Sequence, residues 1–100
     1  MSRLSGSQRK HLRGIAHSTK PAVHIGKEGL TDNVIGAIDT AIAAHELIKV
    51  KILAERNERE TLVPVIEERL NCECVGTIGR MAILFRANPD PEKQKIDLPR

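Results

Sequence analysis

The chain has 100 residues and a formal net charge of +3, with 40% hydrophobic and 29% charged side chains. That is one small domain with an ordinary globular core and no room for a second. No apolar run reaches the ~20 residues of a membrane helix, no secretory h-region is visible, and two cysteines make no disulfide framework. A cytoplasmic, reducing home is therefore expected. Phe85 is the one aromatic residue, which excludes RNA-binding sheets and most OB-folds that stack bases on aromatic rings.

In chain order, Ser5 or Ser7 is placed to cap a first helix carrying Leu4, Leu12, Ile15 and Ala16 on one stripe, with Pro21 closing it. Ala22 to Ile25 reads as a short strand and Gly26-Lys27-Glu28-Gly29 as a tight loop. Thr31 is a predicted N-cap, Asp32 suits the helix dipole, and Val34, Ile35, Ile38, Ala41 and Ile42 trace a second helix. From Leu47 to Leu53 the pattern alternates, Ile48, Val50 and Ile52 on one face against Lys49 and Lys51 on the other. Residues 56–60 read as a polar connection. A third helix follows on Leu62, Val65, Ile66 and Leu70, with Pro64 in its first turn or at a kink. Cys72 to Thr77 is a predicted third strand, Gly79-Arg80 the turn, and Met81 to Arg86 a fourth strand with Met81, Ile83 and Phe85 on one face.

The order αβαβαββ implies parallel neighbours with right-handed crossovers and a closing antiparallel hairpin. Alternating strands predict helices on one face only. The expected architecture is a two-layer α/β sandwich with a mixed four-stranded sheet. Residues 1–88 form the domain, and 89–100 a charged, Pro-rich tail, partly ordered at most and held, if at all, by Ile96 and Leu98.

Charge is unevenly spread. Up to Lys27 there are six basic residues (Arg3, Arg9, Lys10, Arg13, Lys20, Lys27) and no acid, whereas ten acids face six bases from Glu28 to Phe85. One end thus carries a cationic field that attracts phosphate. A solvated helix face gives the same count. A transit peptide does too, but the segment runs without a break into Pro21-Ala22-Val23.

Gly26-Lys27-Glu28-Gly29, between a strand and a capped helix, offers close backbone approach and free N–H groups at the helix start, with Lys27 as a mobile charge. A G-x-x-G loop in this setting suits an RNA sugar-phosphate backbone; a plain strand-to-helix turn needs the same glycines. Gly76-Thr77-Ile78-Gly79 sits at the closing hairpin, where turn geometry already calls for glycine, although Arg80 at its tip is within reach of a phosphate bound there. Cys72 and Cys74 lack C-x-x-C spacing and read as packing residues. His11, His17, His24 and His45 form no ligand pattern, and Glu67 and Glu68 are neighbours that do not converge. No catalytic centre, metal, cofactor or small-molecule substrate is expected.

Leu12-Arg13-Gly14-Ile15-Ala16-His17, then Lys20-Pro21 and Ile25 through Thr31, resemble the opening of the CRM (chloroplast RNA splicing and ribosome maturation) domain. His45 to Lys51, Ile78-Gly79-Arg80, Ile83 to Arg86 and Asp97-Leu98-Pro99 are similar to its middle and end, in order and over almost the whole chain. The resemblance implies an RNA-binding fold similar to the C-terminal domain of translation initiation factor 3. In bacteria it implies association with rRNA of precursor large ribosomal subunits. The family's G-x-x-G loop falls on Gly26, Lys27, Glu28 and Gly29, and its basic first helix on Arg9, Lys10 and Arg13. Glu28 departs from a purely cationic clamp, and Phe85 stands where relatives often carry Tyr. The expected contacts are these residues with Lys20 and Arg80, and secondarily Lys49 and Lys51, in a non-catalytic monomeric ribosome-assembly factor. The alternative is a module docking on a ribosomal protein or assembly factor.

Overall fold

The computed structural model describes residues 4–99. Arg3 of the cationic stretch, and the outermost residues of the 1–88 and 89–100 segments, lie outside the described residues. The elements are α1 (Gly6–Ala16), β1 (Pro21–Ile25), α2 (Asp32–His45), β2 (Leu47–Ile52), α3 (Arg56–Leu70), β3 (Glu73–Ile78) and β4 (Met81–Phe85), then a 3-10 turn at Pro91–Lys93. This is the αβαβαββ order. The sheet runs β1-β2-β4-β3, with β1 parallel to β2 and the other two pairs antiparallel.

Local chemistry sets the helix starts. Ser5 caps α1 in a reciprocal box with Gln8, and Thr31 accepts from the Val34 N–H at the start of α2. The stretch expected as a polar connection, 56–60, is instead the opening of α3, whose N-cap Glu55 makes no side-chain cap bond. Pro64 therefore sits mid-helix, where it withholds the donor that the Glu60 carbonyl would have received. Both residues are exposed, so water reaches that carbonyl.

The sheet is covered on both faces, which corrects the expectation of helices on one face. Ile48, Val50 and Ile52 of β2 and Ala82 and Leu84 of β4 join Ile38 and Ile42 of α2 and Ile66 and Leu70 of α3 in one core. Leu47, Ile83 and Phe85 point the other way, into a smaller core with Leu12 and Ala16 of α1 and Val75 of β3. Central β4 is buried over Ala82–Phe85 on both of its faces, as a strand between two helical layers must be. The mixed four-stranded α/β sheet stands as expected; α1 is what makes a third layer.

Residues 88–99 return along the α1 side, where Ile96 and Leu98 pack against the smaller core. A second fastening holds the same segment. The Glu46 carboxylate, 1% exposed, accepts from the backbone N–H groups of Asn88 (2.6 Å), Lys95 (2.6 Å) and Ile96 (3.0 Å).

Candidate nucleic-acid interface

Because β1 and β2 are parallel and β3 meets β4 in a hairpin, three connections share one end of the sheet: 26–31, 53–55 and Gly79-Arg80. Short bonds tie them together. The Leu53 N–H donates to Ile25 O (3.0 Å) and the Ile52 N–H to Arg80 O (2.7 Å), while Arg80 Nη1 donates to Leu53 O (2.8 Å). The G-x-x-G loop and Arg80, far apart in sequence, thus belong to one rim.

Within the loop, the Gly29 N–H donates to Gly26 O at 3.1 Å, closing a four-residue turn with Lys27 and Glu28 exposed at its tip. Gly29 has φ +72°, so a side chain there is strained, whereas Gly26 faces open space. The turn feeds α2, capped by Thr31 and carrying Asp32 in its first turn. Lys27 is followed in sequence by the acidic Glu28 and Asp32, so the segment carries no net positive charge and offers backbone donors rather than a cationic clamp.

The basic first helix divides. Lys10 is exposed. Arg9 pairs with Glu73 and gives Nη2 to the Cys74 carbonyl at 3.0 Å. Arg13 gives Nη1 to the Val75 carbonyl at 2.9 Å, its stem lying over Gly76, where an added Cβ would sit 2.7 Å from Arg13 Cδ. Glu67 accepts from the Cys74 N–H at 2.9 Å. Edge strand β3 bulges between Cys74 and Gly76, and these side chains occupy backbone groups that would otherwise template another strand. Gly76 is thus required by a close approach and not by the hairpin turn, which belongs to Gly79 at φ +57°. Two of the expected contact residues are in this way committed to holding α1 on the sheet.

The secondary lysines are better placed. Lys49 and Lys51 project from β2 on the α1 side, where Lys49 Nζ lies 3.4 Å from His17 O. Register sets Pro21 beside Lys49, and His24 and Met81 on either side of Lys51, with Ile78 next to Met81. Direct partners share a face. The part of the sheet that α1 leaves uncovered is therefore a row of His24, Lys51, Met81 and exposed Ile78, with Lys20 just before Pro21 at its border. Arg56 and Arg59, one turn apart on α3 where the sequence suggests a polar connection, stand beside Arg80, around a cavity of about 280 Å³. Their three-residue spacing was the available signal.

Burial, with Glu67 adding to it, pushes the Cys72 thiol up to about 11, and burial also raises Cys74, so both are held as thiols. Among the described residues no group of three or more His, Cys, Asp or Glu is placed to hold a metal ion.

Comparisons bring the geometry into a family. The profile of the CRS1/YhbY (CRM) domain matches residues 4–86. A Haemophilus influenzae RNA-binding protein is 39% identical over 101 residues, covering 100% of this chain and 99% of its own. A Pseudomonas aeruginosa protein, named as a candidate RNA-binding protein, is 37% identical over 98 residues, covering 97% and 94%. The solution structure of a Staphylococcus aureus protein, also described as a candidate RNA binder, superposes with TM-score 0.81 at 34% identity, covering 96% of this chain and 99% of that one.

Proposed function

The chain belongs to the CRS1/YhbY (CRM) domain family, and on that premise we propose that it is an RNA-binding protein that joins precursors of the large ribosomal subunit and assists their assembly without catalysis. Its relatives from Haemophilus influenzae and Pseudomonas aeruginosa are named for RNA binding. The observation that carries the reading is the set of cations at one end of the molecule, Lys49 and Lys51 on the open sheet face, Lys20 at its border, and Lys27 and Arg80 on the adjoining rim. Lys20, Lys27 and Arg80 are exposed and Lys49 and Lys51 half-buried, a dispersed set of cations that suits a phosphate backbone, while the one phenyl ring, Phe85, is 6% exposed and unavailable for base stacking. The protein acts in the cytoplasm as a monomer, a state favoured by the side-chain capping of the β3 edge.

Binding of structured rRNA fragments as a function of salt tests this. Neutralising about five phosphates gives a log–log slope of about −3.5 to −4.5; a slope near −1 sinks the backbone reading. Lys27→Glu is expected to weaken all RNA ligands alike. In a low-salt lysate the tagged protein is expected to sediment at or just below the large subunit and to leave it as salt rises. Co-sedimentation that survives ribonuclease and high salt points to a protein partner instead.

A further inference from the structure

The cavity beside Arg80 has a chemistry distinct from that of the G-x-x-G loop. It lies on the α3 side of the sheet, with Ile52, Val63 and Ala82 as an apolar floor and Arg56, Arg59 and Arg80 at its rim. Its roughly 280 Å³ falls at the small end of ligand pockets, which start near ~300 Å³. Two guanidiniums are held by adjacent carbonyls: Arg59 Nη1 donates to Ala54 O at 2.7 Å, and Arg80 Nη1 to Leu53 O at 2.8 Å. Those bonds anchor one nitrogen of each guanidinium beside the cavity and use one of its five N–H donors. Arg56 is exposed and shares one carboxylate, Glu60, at 3.3 Å. Three guanidiniums thus face a single acid around an apolar floor. A lysine ammonium is a point charge suited chiefly to phosphate; this arrangement also offers flat guanidinium surfaces for a base, which the buried Phe85 ring cannot provide.

We propose that this cleft takes one unstacked nucleotide of single-stranded RNA, the base lying on the apolar floor against Arg59 and the phosphate held by Arg80 and Arg56. The proposal rests on the RNA-binding reading above and adds a single-strand site to it. The cleft and the G-x-x-G loop lie at the same sheet end, separated by the β1-β2-β4-β3 order. At ~4.8 Å per strand that is roughly 10–15 Å, so one strand can occupy both.

The test is amide NMR titration of the full chain with hexauridylate, with an RNA duplex and with inorganic phosphate. Hexauridylate is expected to move the amides of residues 56–60 and 77–82, and the duplex to move mainly the loop and the β2 lysines. Thr77→Glu puts a carboxylate into the cleft from an exposed strand position while keeping all three arginines. It should weaken hexauridylate roughly tenfold, the size of one lost base stack, and leave duplex affinity within about twofold. Arg59→Lys, which keeps charge and loses the planar fork, should act the same way and needs no tolerance of a deleted side chain. If hexauridylate moves only loop and β2 amides, or inorganic phosphate reproduces the cleft shifts, the nucleotide site is wrong while RNA binding stands. If the unmodified protein binds neither RNA, both readings fall.

Discussion

Glu46 combines a backbone penalty with a buried charge. Its φ of +65° is a region that costs a non-glycine residue about 1–3 kcal/mol, yet it lets the chain leave α2 and enter β2 after one residue. Its carboxylate is satisfied by three backbone N–H groups from residues 88–96, so the turn and the tail stabilise each other. Glu46→Gln keeps an oxygen for some of these donors but turns an NH₂ toward another. Loss of one charge-assisted bond plus an unsatisfied donor predicts a cost of about 2–4 kcal/mol, read by urea denaturation, with faster amide exchange at Lys95 and Ile96. A change under ~0.5 kcal/mol would assign the fastening elsewhere. Cys72 gives a pH prediction. With its folded pKa raised to about 11 from about 9, the unfolded chain loses the proton first, so this contribution is intact below about 9 and disappears as pH climbs toward 11. Stability of the natural chain should therefore fall more between pH 8 and 10.5 than that of Cys72→Ser. Equal losses would remove the thiol from the account.

At the scale of elements, α1 and the β3 edge are a single unit. Arg9, Arg13 and Glu67 satisfy the backbone groups of Cys74 and Val75, and Gly76 makes room for the Arg13 stem. Gly76→Ala must displace that stem, so its effect and that of Arg13→Ala are not independent. A double-mutant cycle is expected to give a coupling of about 0.5–1.5 kcal/mol; additivity within error would mean that the stem moves aside freely. Removing both arginines also uncovers the edge, and light scattering should show self-association at concentrations where Lys10→Ala stays monomeric. The element order was legible because helix and strand periods differ so plainly between 34–42 and 47–53. The start of α3 was not, since residues 56–60 carry no apolar stripe and their cap makes no side-chain bond. The third layer was legible only in β4, apolar throughout from Met81 to Phe85, whereas the alternation in β2, on which the one-face expectation rests, points to a single covered face.

For the whole molecule, legibility follows sequence distance. The G-x-x-G turn could be read because its parts are contiguous. The commitment of Arg9 and Arg13 could not, because their carbonyl partners lie 65 and 62 residues away, and no local pattern distinguishes a phosphate ligand from an edge cap. The tail repeats this at larger scale. Among the described residues the α1-side core has six buried members against ten on the other side, and it is completed only when Ile96 and Leu98 arrive and Gln8 Nε2 reaches the Pro99 carbonyl at 2.9 Å. A chain ending at Asn88 loses those contacts and strips two of three donors from the buried Glu46 carboxylate. Two charge-assisted bonds and two half-buried aliphatic side chains predict a loss of about 4 kcal/mol, a large part of the ~5–15 kcal/mol available to such a domain. The loss should be directional: amides of α1 should exchange well before those of β2, which stay clamped between β1, β4 and the larger core. A truncated chain within 1 kcal/mol of the full one, or one whose amides loosen uniformly, would show that the smaller core stands without its tail.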